Sequence, residues 1–228
     1  MGKKNKLFKF SELANFPNTY QNYRIDEPLM TDCNGDMIDI KGKWLKHHFK
    51  NSHPITLELA CGGGEYTLEL ARKYTERNFI GVDIKGNRLW KGARVALAEQ
   101  LDNAAFARMR IEKITTFFGK NEVDKIWITF PDPFLKKPNR RLTAPIFLER
   151  YREFLIEEGT INLKTDSPEL FEYTMEVLQE GNYPIEYFDD DIYAKPLPVE
   201  ELTFKTYYER MHLEAGKTIK YVRFRLNK

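Results

Sequence analysis

The segment FPDPFLKKPNRR, residues 130–141, places one constrained carboxylate beside a cluster of bases. Asp132 lies between Pro131 and Pro133, whose rings fix their own φ angles and bias the aspartate towards an extended backbone. The bases that follow are Lys136, Lys137, Arg140 and Arg141. A carboxylate held in place before a ligand arrives can face an amine or a cation, while a basic loop can contact the phosphates of a polyanion. A plain prolyl turn on the surface would show the same pattern.

A second chemical signal is the glycine turn in ELACGGGEYTLEL, residues 58–70. Gly62 and Gly64 match the first two positions of the dinucleotide-binding pattern G-x-G-x-x-G, but its third glycine falls on Thr67. Glu58 precedes the turn on a predicted strand, where its charge would repel a diphosphate and attract a cation. These two departures make NAD a poor fit.

The next apolar strand, FIGVDI, carries Asp83 at its end, about 20 residues beyond the glycine turn, where an acid can bind both hydroxyls of a ribose. Together with Glu58, this acid fits a nucleoside that has a positively charged tail. S-adenosylmethionine has a ribose, an ammonium and a sulfonium, so the sequence favours it as the cofactor. The competing interpretation is a tight turn beside an unrelated surface acid.

The elements that must position these residues alternate between strand and helix from residue 55 onwards. Short apolar runs such as ITLELA, FIGVDI, AAFARMRI, KIWITF and TINLKTD are separated by helical patterns, among them predicted helices at about 144–155 and 169–179. Strands separated by helix-length segments predict parallel pairing in an α/β doubly wound, Rossmann-like sheet. The last two strand-like segments, IEYFDD and IKYVRFRL, lack an obvious long crossover helix between them, which predicts an antiparallel edge at the C-terminus.

The domain organisation predicted from these patterns is simple. Residues 1–40 lack sustained periodicity and are predicted to form an irregular arm that could include a short helix, and residues 41–228 to form a single domain. At 228 residues and 27.0 kDa the chain has the size of one domain. Its net charge of +2 is too small to indicate a nucleic-acid partner by itself, so only the local clustering of bases does so.

The distribution of apolar residues also indicates the cellular compartment. No apolar run approaches the roughly 18 residues that a membrane span needs, and the lysines of MGKKNKLFKF are not followed by the apolar core of a signal peptide. We therefore expect a cytoplasmic protein in which Cys33 and Cys61 are free thiols. The four histidines show no metal-ligand spacing, so no metal is predicted. A monomer and a homodimer both remain open.

These motifs, taken in order, resemble the bacterial tRNA (guanine-N7)-methyltransferases. The resemblance runs through KGKW, HPITLELACGGGEYTLELA, FIGVDIKGNRLWKGA, ITFPDPFLKKPNRRLT and INLKTDSPELFEY to a late T-x-x-E, and covers nearly everything after residue 40. A glycine turn alone is unspecific, but the ordered set of FPDP, a basic loop, KTD and T-x-x-E is specific. The resemblance implies a class I S-adenosylmethionine-dependent methyltransferase that acts on a guanine in the variable loop of tRNA.

The resemblance also implies roles for individual residues. For S-adenosylmethionine the implied contacts are Glu58, Gly62, Gly64, Asp83 and Asp132, and also Arg110 or Glu112, which lie where the family has an acid or amide. For the tRNA nucleotide they are Lys136, Asp166, Thr206 and Glu209. Asp132, placed between cofactor and guanine, is the implied catalytic residue. The chain departs from the family in a basic loop about two residues shorter than usual and in Phe134, which replaces a usual tryptophan.

Three other functions remain open from the residues themselves. The nearest is an amino-methyltransferase acting on another nucleic-acid base or on a protein amide, because such enzymes carry a D/N-P-P-Y/F segment that is similar to DPF. The second is an NAD-dependent dehydrogenase, which Thr67 and Glu58 disfavour. The third is a noncatalytic RNA-binding module that would use only the basic loop.

Overall fold

A computed structural model of the chain describes residues 3–227, which form one mixed sheet flanked by helices. The strands are β1 (Thr19–Gln21), β2 (Met30–Thr31), β3 (Met37–Ile38), β4 (Ile55–Leu59), β5 (Asn78–Asp83), β6 (Ala104–Arg108), β7 (Val123–Thr129), β8 (Leu155–Thr165), β9 (Ile185–Asp189) and β10 (Lys220–Arg225). The α-helices are α1 (Lys3–Leu13), α2 (Glu65–Lys73), α3 (Gly86–Ala98), α4 (Pro145–Phe154), α5 (Pro168–Glu180) and α6 (Tyr207–Glu214). Shorter helical turns cover Leu45–Phe49, Ile111–Thr116, Pro138–Arg140 and Glu200–Thr203.

The central strands run parallel and are buried on both faces. Every residue of β4 and of β5 is buried, as expected for parallel strands that helices cover on both sides. Alternate residues of β4 face opposite cores, because Leu57 and Leu59 pack with α4 and α5, whereas Glu58 points to the side of α2 and α3. The predicted doubly wound sheet is therefore confirmed.

The strand order brings the predicted chemistry to one edge. The sheet order is β3-β2-β1-β6-β5-β4-β7-β8-β10-β9, and β4 pairs in parallel with both β5 and β7. Chain order therefore reverses between β4 and β7, at the position where open α/β sheets bind ligands outside the carboxyl ends of their strands. The glycine turn after β4, Asp83 at the end of β5 and the FPDP segment after β7 all lie there.

The N-terminal segment is more ordered than the irregular arm that the sequence predicts. Strand β1 pairs in parallel with β6, and β2 and β3 extend the sheet as antiparallel strands. Helix α1 packs on α3, where a Cβ on Gly86 would lie 2.7 Å from the Phe10 ring and 3.1 Å from Leu13. Residues 3–40 thus join the sheet and a helical layer. The domain division at residue 40 stays a prediction, and residues 1, 2 and 228 lie outside the described residues.

The C-terminal end confirms the predicted antiparallel pairing. Strand β10 pairs antiparallel with β8 on one side and with β9 on the other, so β9 forms the edge. The polar stretch between β9 and β10 contains the short helix α6, and Thr206 is its N-cap. Across residues 3–227, every helix is too short or too polar to span a lipid bilayer.

Candidate active site

Two adjoining cavities open at the carboxyl edge of the sheet. The first has a volume of about 280 Å³ and the second of about 470 Å³. Ala60, Arg88 and Phe130 line both, so the cavities meet at the ends of β4 and β7 beside the start of α3. The two cavities together form the candidate site.

The first cavity combines apolar walls with carboxylates. Ile84, Met109, Ile111 and Phe147 are among its apolar residues. It also contains four of the predicted site residues, namely Asp83, Arg110, Glu112 and Asp132. Apolar walls suit a flat heterocycle, and carboxylates at its rim suit hydroxyl groups. The structure therefore brings together residues that are about 50 positions apart in the chain.

The second cavity lies over the glycine turn. Glu58, Gly62, Gly63 and Thr129 form its floor, and Thr206, Tyr207 and Tyr208 close it from the side of α6. Lys9, Arg88 and Lys91 supply cations at its rim. Sequence reasoning missed the two tyrosines, because the T-x-x-E motif leaves its middle positions unspecified. It did not single out Lys9, because residues 1–40 were predicted to form an irregular arm with no defined position.

Asp83 fixes the glycine turn to the neighbouring strand. Its Oδ2 accepts a hydrogen bond from the backbone N–H of Gly62 at 2.9 Å, and its Oδ1 accepts one from the N–H of Lys85 at 2.7 Å. Each carboxylate oxygen has two lone pairs, so each can still accept a hydrogen bond from a ligand hydroxyl. Asp83 can therefore hold the turn and a ligand at the same time.

Glu58 is buried, with only 3% of its surface exposed. Its Oε2 accepts hydrogen bonds from the N–H and the hydroxyl of Thr67 at 2.9 and 2.5 Å, and its Oε1 accepts one from the Thr129 hydroxyl at 2.6 Å. Burial raises the pKa of Glu58 to about 7, although these hydrogen bonds act in the opposite direction. The carboxylate thus joins the first turn of α2 to the end of β7 directly below the second cavity.

The structure explains why Thr67 replaces the third glycine of the dinucleotide pattern. Its hydroxyl donates to Glu58, and the space it needs comes from a glycine on the adjacent strand β5. A Cβ on Gly81 would lie 3.0 Å from the Thr67 hydroxyl and 2.9 Å from the Cys61 sulfur. The departure at Thr67 is therefore part of the hydrogen bonding around Glu58.

The glycine turn packs closely on α3 and β6. Gly64 has a φ of +69°, and a Cβ there would lie 2.4 Å from the Phe106 ring. On the facing helix, a Cβ on Gly92 would lie 2.7 Å from the carbonyl oxygen of Gly63. The glycine at position 92 therefore allows α3 to approach the glycine turn closely.

Asp132 is exposed and faces the first cavity. The backbone on either side is strained, because Phe130 and Phe134 have φ angles of +47° and +42°, a region that bulky residues rarely occupy. Such residues cost about 1–3 kcal/mol each and persist where the surrounding structure holds them. Here the N–H of Phe130 donates to the carbonyl of Lys164 at 2.8 Å.

The basic loop divides into exposed bases and one anchor. Lys136, Lys137 and Arg140 are exposed, and Arg140 also lines the first cavity. Arg141, which the sequence groups with them, is instead buried. Its Nε donates to the carbonyl of Pro133 at 2.8 Å, so it holds the FPDP segment in place rather than facing solvent.

The residues implied for the tRNA nucleotide occupy different positions. Thr206 lines the second cavity, whereas Asp166 lines neither cavity and lies 2.6 Å from Lys217 Nζ and 3.4 Å from His212 Nδ1. The His212 ring stacks on Phe130 with a centroid distance of 5.9 Å. Glu209 is fully buried, and its backbone N–H donates to the Thr206 hydroxyl at 3.2 Å. The structure thus brings Thr206 to the second cavity, connects Asp166 to the cavity lining only through His212 and Phe130, and buries the Glu209 carboxylate.

Within residues 3–227, no group of three or more His, Cys, Asp or Glu side chains is arranged to hold a metal ion. Cys33 and Cys61 are both free.

Sequence comparisons identify the family. A family model described as "Putative methyltransferase" matches residues 52–222. A tRNA (guanine-N(7)-)-methyltransferase of Christiangramia forsetii is 47% identical over 229 residues, covering 99% of this chain and 100% of that protein. One from Bacteroides fragilis is 46% identical over 223 residues, covering 98% of this chain and 86% of that protein. This chain belongs to the tRNA (guanine-N7)-methyltransferase family.

Solved structures confirm the fold that the family implies. The 16S rRNA methyltransferase KamB matches with a TM-score of 0.64 at 11% identity, covering 85% of this chain and 97% of that one. A geranyl diphosphate C-methyltransferase from Streptomyces coelicolor, crystallised with S-adenosyl-L-homocysteine, matches with a TM-score of 0.52 at 13% identity, covering 80% and 78%. The family member described here therefore has the Rossmann-like class I methyltransferase fold.

Proposed function

We propose that this protein transfers the methyl group of S-adenosylmethionine to N7 of a guanine in the variable loop of tRNA. The observation that carries the proposal is the joined pair of cavities at the strand-order reversal, where Asp83, the glycine turn and Asp132 meet in a member of this family. Because the substrate is tRNA, we place the enzyme in the cytoplasm. We propose that it acts as a monomer or a homodimer.

The residues present fit S-adenosylmethionine. A Cβ on Gly62 would meet no atom within 4 Å, so the turn leaves open space above its backbone. The apolar first cavity, with Asp83 and Glu112 or Arg110 at its rim, would hold the adenosine. The second cavity offers Glu58 beneath a cationic group and Arg88 for a carboxylate. Asp83, Gly62, Gly64, Glu58 and Asp132 are the proposed contacts, and they keep the roles that the resemblance implies.

The chemistry requires little from the protein beyond position and charge. When bound, S-adenosylmethionine supplies an electrophilic methyl group on a sulfonium. Guanine N7 has a lone pair and no hydrogen, so it can attack without a general base. Residues that hold the nitrogen in line with the methyl carbon can supply several kcal/mol by orientation alone.

Asp132 is the proposed catalytic residue. Transfer would form the N7–methyl bond as the S–methyl bond breaks, so that S-adenosylhomocysteine would leave as a neutral thioether and the positive charge would move onto the purine. A fixed carboxylate beside the ring would stabilise that change. The strained flanks at Phe130 and Phe134 hold Asp132 at the cavity where this charge would develop. Lys136, Asp166 and Thr206 are proposed to hold the nucleotide, and Glu209 to act from behind through Thr206.

The decisive experiment is incubation of the purified protein with methyl-labelled S-adenosylmethionine and unmodified tRNA, followed by nuclease mapping. We expect label in 7-methylguanosine within the variable loop. An N6- or N4-methylated base would favour the amino-methyltransferase alternative, and RNA binding without transfer would favour the noncatalytic one. Titration with NADH serves as a negative control for cofactor choice.

A further inference from the structure

The exposed side of α3 is cationic. Lys85, Arg88, Lys91 and Arg94 are all exposed and follow one another at intervals of three residues. Residues three apart on a helix are surface neighbours, so these side chains form a continuous band that winds across the exposed side of the helix, here called the α3 basic face. The helix sequence GNRLWKGARVALA contains no Asp or Glu to offset them.

The charges of the α3 basic face are poorly compensated inside the protein. Lys85 is the N-cap and Arg88 lies in the first turn, at the positive end of the helix dipole, where cations are disfavoured. In the part of the chain that the structure describes, one ion pair reaches this face, and it joins Lys91 to Glu65 at 2.8 Å. The Arg94 guanidinium makes a cation–π contact instead, 5.2 Å from the centre of the Trp90 ring. An anionic partner from outside would relieve this arrangement.

The α3 basic face borders the candidate site. Lys85 lines the first cavity, Lys91 the second and Arg88 both. Helix α1 lies alongside and adds Lys9, which lines the second cavity and has its Nζ 4.4 Å from the centre of the Trp90 ring. A hydrogen bond of 2.8 Å from Trp90 Nε1 to Glu12 holds α1 in place.

The cavities thus lie between two groups of bases, the α3 basic face on one side and the loop with Lys136, Lys137 and Arg140 on the other. A guanine that enters the cavities is connected to phosphates in both chain directions, and contacts to phosphates set register without reading sequence. Resting on the proposed function, we propose that the α3 basic face is a second phosphate-binding surface for tRNA. The strand that carries the target guanine would then pass from the basic loop over the cavities to α3 and Lys9.

The test is the salt dependence of tRNA binding. Arg94 lines neither cavity, so Arg94→Gln probes the surface apart from the cofactor site, and Lys91→Gln/Arg94→Gln removes two charges. The matched control is Lys46→Gln/Lys120→Gln, which removes two exposed bases that line neither cavity. Each lost phosphate contact should reduce the slope of log K against log salt by about 0.7–0.9. We expect a reduction of about 0.8 for the single variant, about 1.6 for the double variant and none for the control.

Slopes equal to wild type in both α3 variants, or an equal reduction in the control, would overturn the inference. Thermal melting of each variant verifies folding, and calorimetry with S-adenosylmethionine verifies the cofactor site. If wild-type protein methylates tRNA but the α3 variants show the wild-type slope of log K against log salt, only the phosphate-binding role of the α3 basic face is refuted. Wild-type protein that neither binds nor methylates tRNA would refute the proposed function as well.

Discussion

Glu209 Oε1 lies 2.7 Å from Lys164 Nζ, and neither side chain is exposed to solvent. Lys164 also donates to the carbonyls of Leu202 and Phe204 at 3.3 and 3.2 Å, and the Tyr193 hydroxyl donates to Glu209 at 2.5 Å. Burial lowers the pKa of Lys164, and the adjacent Glu209 carboxylate opposes that effect. The pair therefore ties α6, which presents Thr206 and the tyrosines to the second cavity, to strand β8.

Breaking this pair should destabilise the fold. Glu209→Gln leaves a buried ammonium without a counter-ion, which typically costs about 3–5 kcal/mol. Urea denaturation should show this loss in the free energy of unfolding. Removal of both charges in Lys164→Met/Glu209→Leu should cost less than Glu209→Gln alone.

An exposed pair provides the control. Lys43 and Asp39 are 2.7 Å apart but 51% and 60% exposed, so Asp39→Asn should cost under about 1 kcal/mol.

A different result for Glu209→Gln would contradict the structural role of the buried pair. If this variant keeps full stability and loses tRNA affinity, the Glu209 carboxylate contacts the nucleotide directly, as the resemblance implies.

Glu58 should make stability depend on pH. Its pKa is raised from 4.5 to about 7 in the folded protein, chiefly by burial, so the folded state holds a proton that the unfolded chain releases. Stability should therefore fall as pH rises from 4.5 to about 7, by about 3 kcal/mol, since a difference of one in pKa corresponds to about 1.4 kcal/mol.

Urea denaturation between pH 5 and 8 measures this dependence. Glu58→Gln should flatten the profile in that window, while Glu76→Gln, at an exposed position, should leave the wild-type slope. An unchanged slope in Glu58→Gln would assign the pH dependence to other groups. Because a bound cation favours the charged carboxylate, cofactor binding should also release protons near pH 6.5, which calorimetry in buffers of different ionisation enthalpy detects.

The predicted architecture and the acids at the strand ends could be obtained from sequence because they depend on local pattern. Asp83 and Asp132 each end or follow an apolar run, and parallel strands bring their carboxyl ends to one edge whatever the detailed packing. The predicted helices at 144–155 and 169–179 agree with α4 and α5, where Pro145 and Pro168 mark the first turns.

The surroundings of these acids depend on partners far away in the chain and could not be read locally. Glu58 is held by Thr129, which lies 71 residues later, and Arg141 anchors to Pro133 only because the loop folds back. The ordered N-terminal segment was missed because β2 and β3 have two residues each, too few for a strand pattern to show. The role of Gly92 was missed because it acts across space on the glycine turn.

Gly92→Ala should weaken cofactor binding although alanine favours helices. In an open helix this change would stabilise by up to about 1 kcal/mol. Here the new Cβ would lie 2.7 Å from the Gly63 carbonyl oxygen and 2.8 Å from the Phe106 ring, so the glycine turn must shift. We expect S-adenosylmethionine affinity to fall at least about tenfold in calorimetry, which is about 1.4 kcal/mol.

The comparison for Gly92 is Ala98→Gly, which lowers helix propensity at the exposed end of the same helix without approaching the turn. It should leave cofactor affinity at the wild-type value. Tight cofactor binding by Gly92→Ala would show that the turn tolerates displacement.

Lys136→Ala should weaken tRNA binding through lost charge alone. Lys136 is exposed on the basic loop and lines neither cavity, so a phosphate is the contact open to it. The slope of log K against log salt should decrease by about 0.7–0.9 if one phosphate contact is lost. The control is Lys120→Ala, before the amino end of β7, which should keep the wild-type slope. A wild-type slope in Lys136→Ala would mean that this lysine faces solvent and does not contact a phosphate.

Asp132→Ala should separate catalysis from binding. The side chain is exposed, so its loss leaves the core intact, and the cavity walls that would hold adenosine come from other residues. We expect kcat to fall at least about tenfold, equivalent to about 1.4 kcal/mol in the barrier, and S-adenosylmethionine affinity to fall much less, because Asp132 is only one of several proposed cofactor contacts. Single-turnover methylation at saturating tRNA measures the chemical step, and Asp190→Ala, at an exposed acid outside both cavities, should behave as wild type. Near wild-type turnover in Asp132→Ala would remove this carboxylate from the reaction, and Asp166 would become the next residue to test because it lies beside His212, which stacks on Phe130.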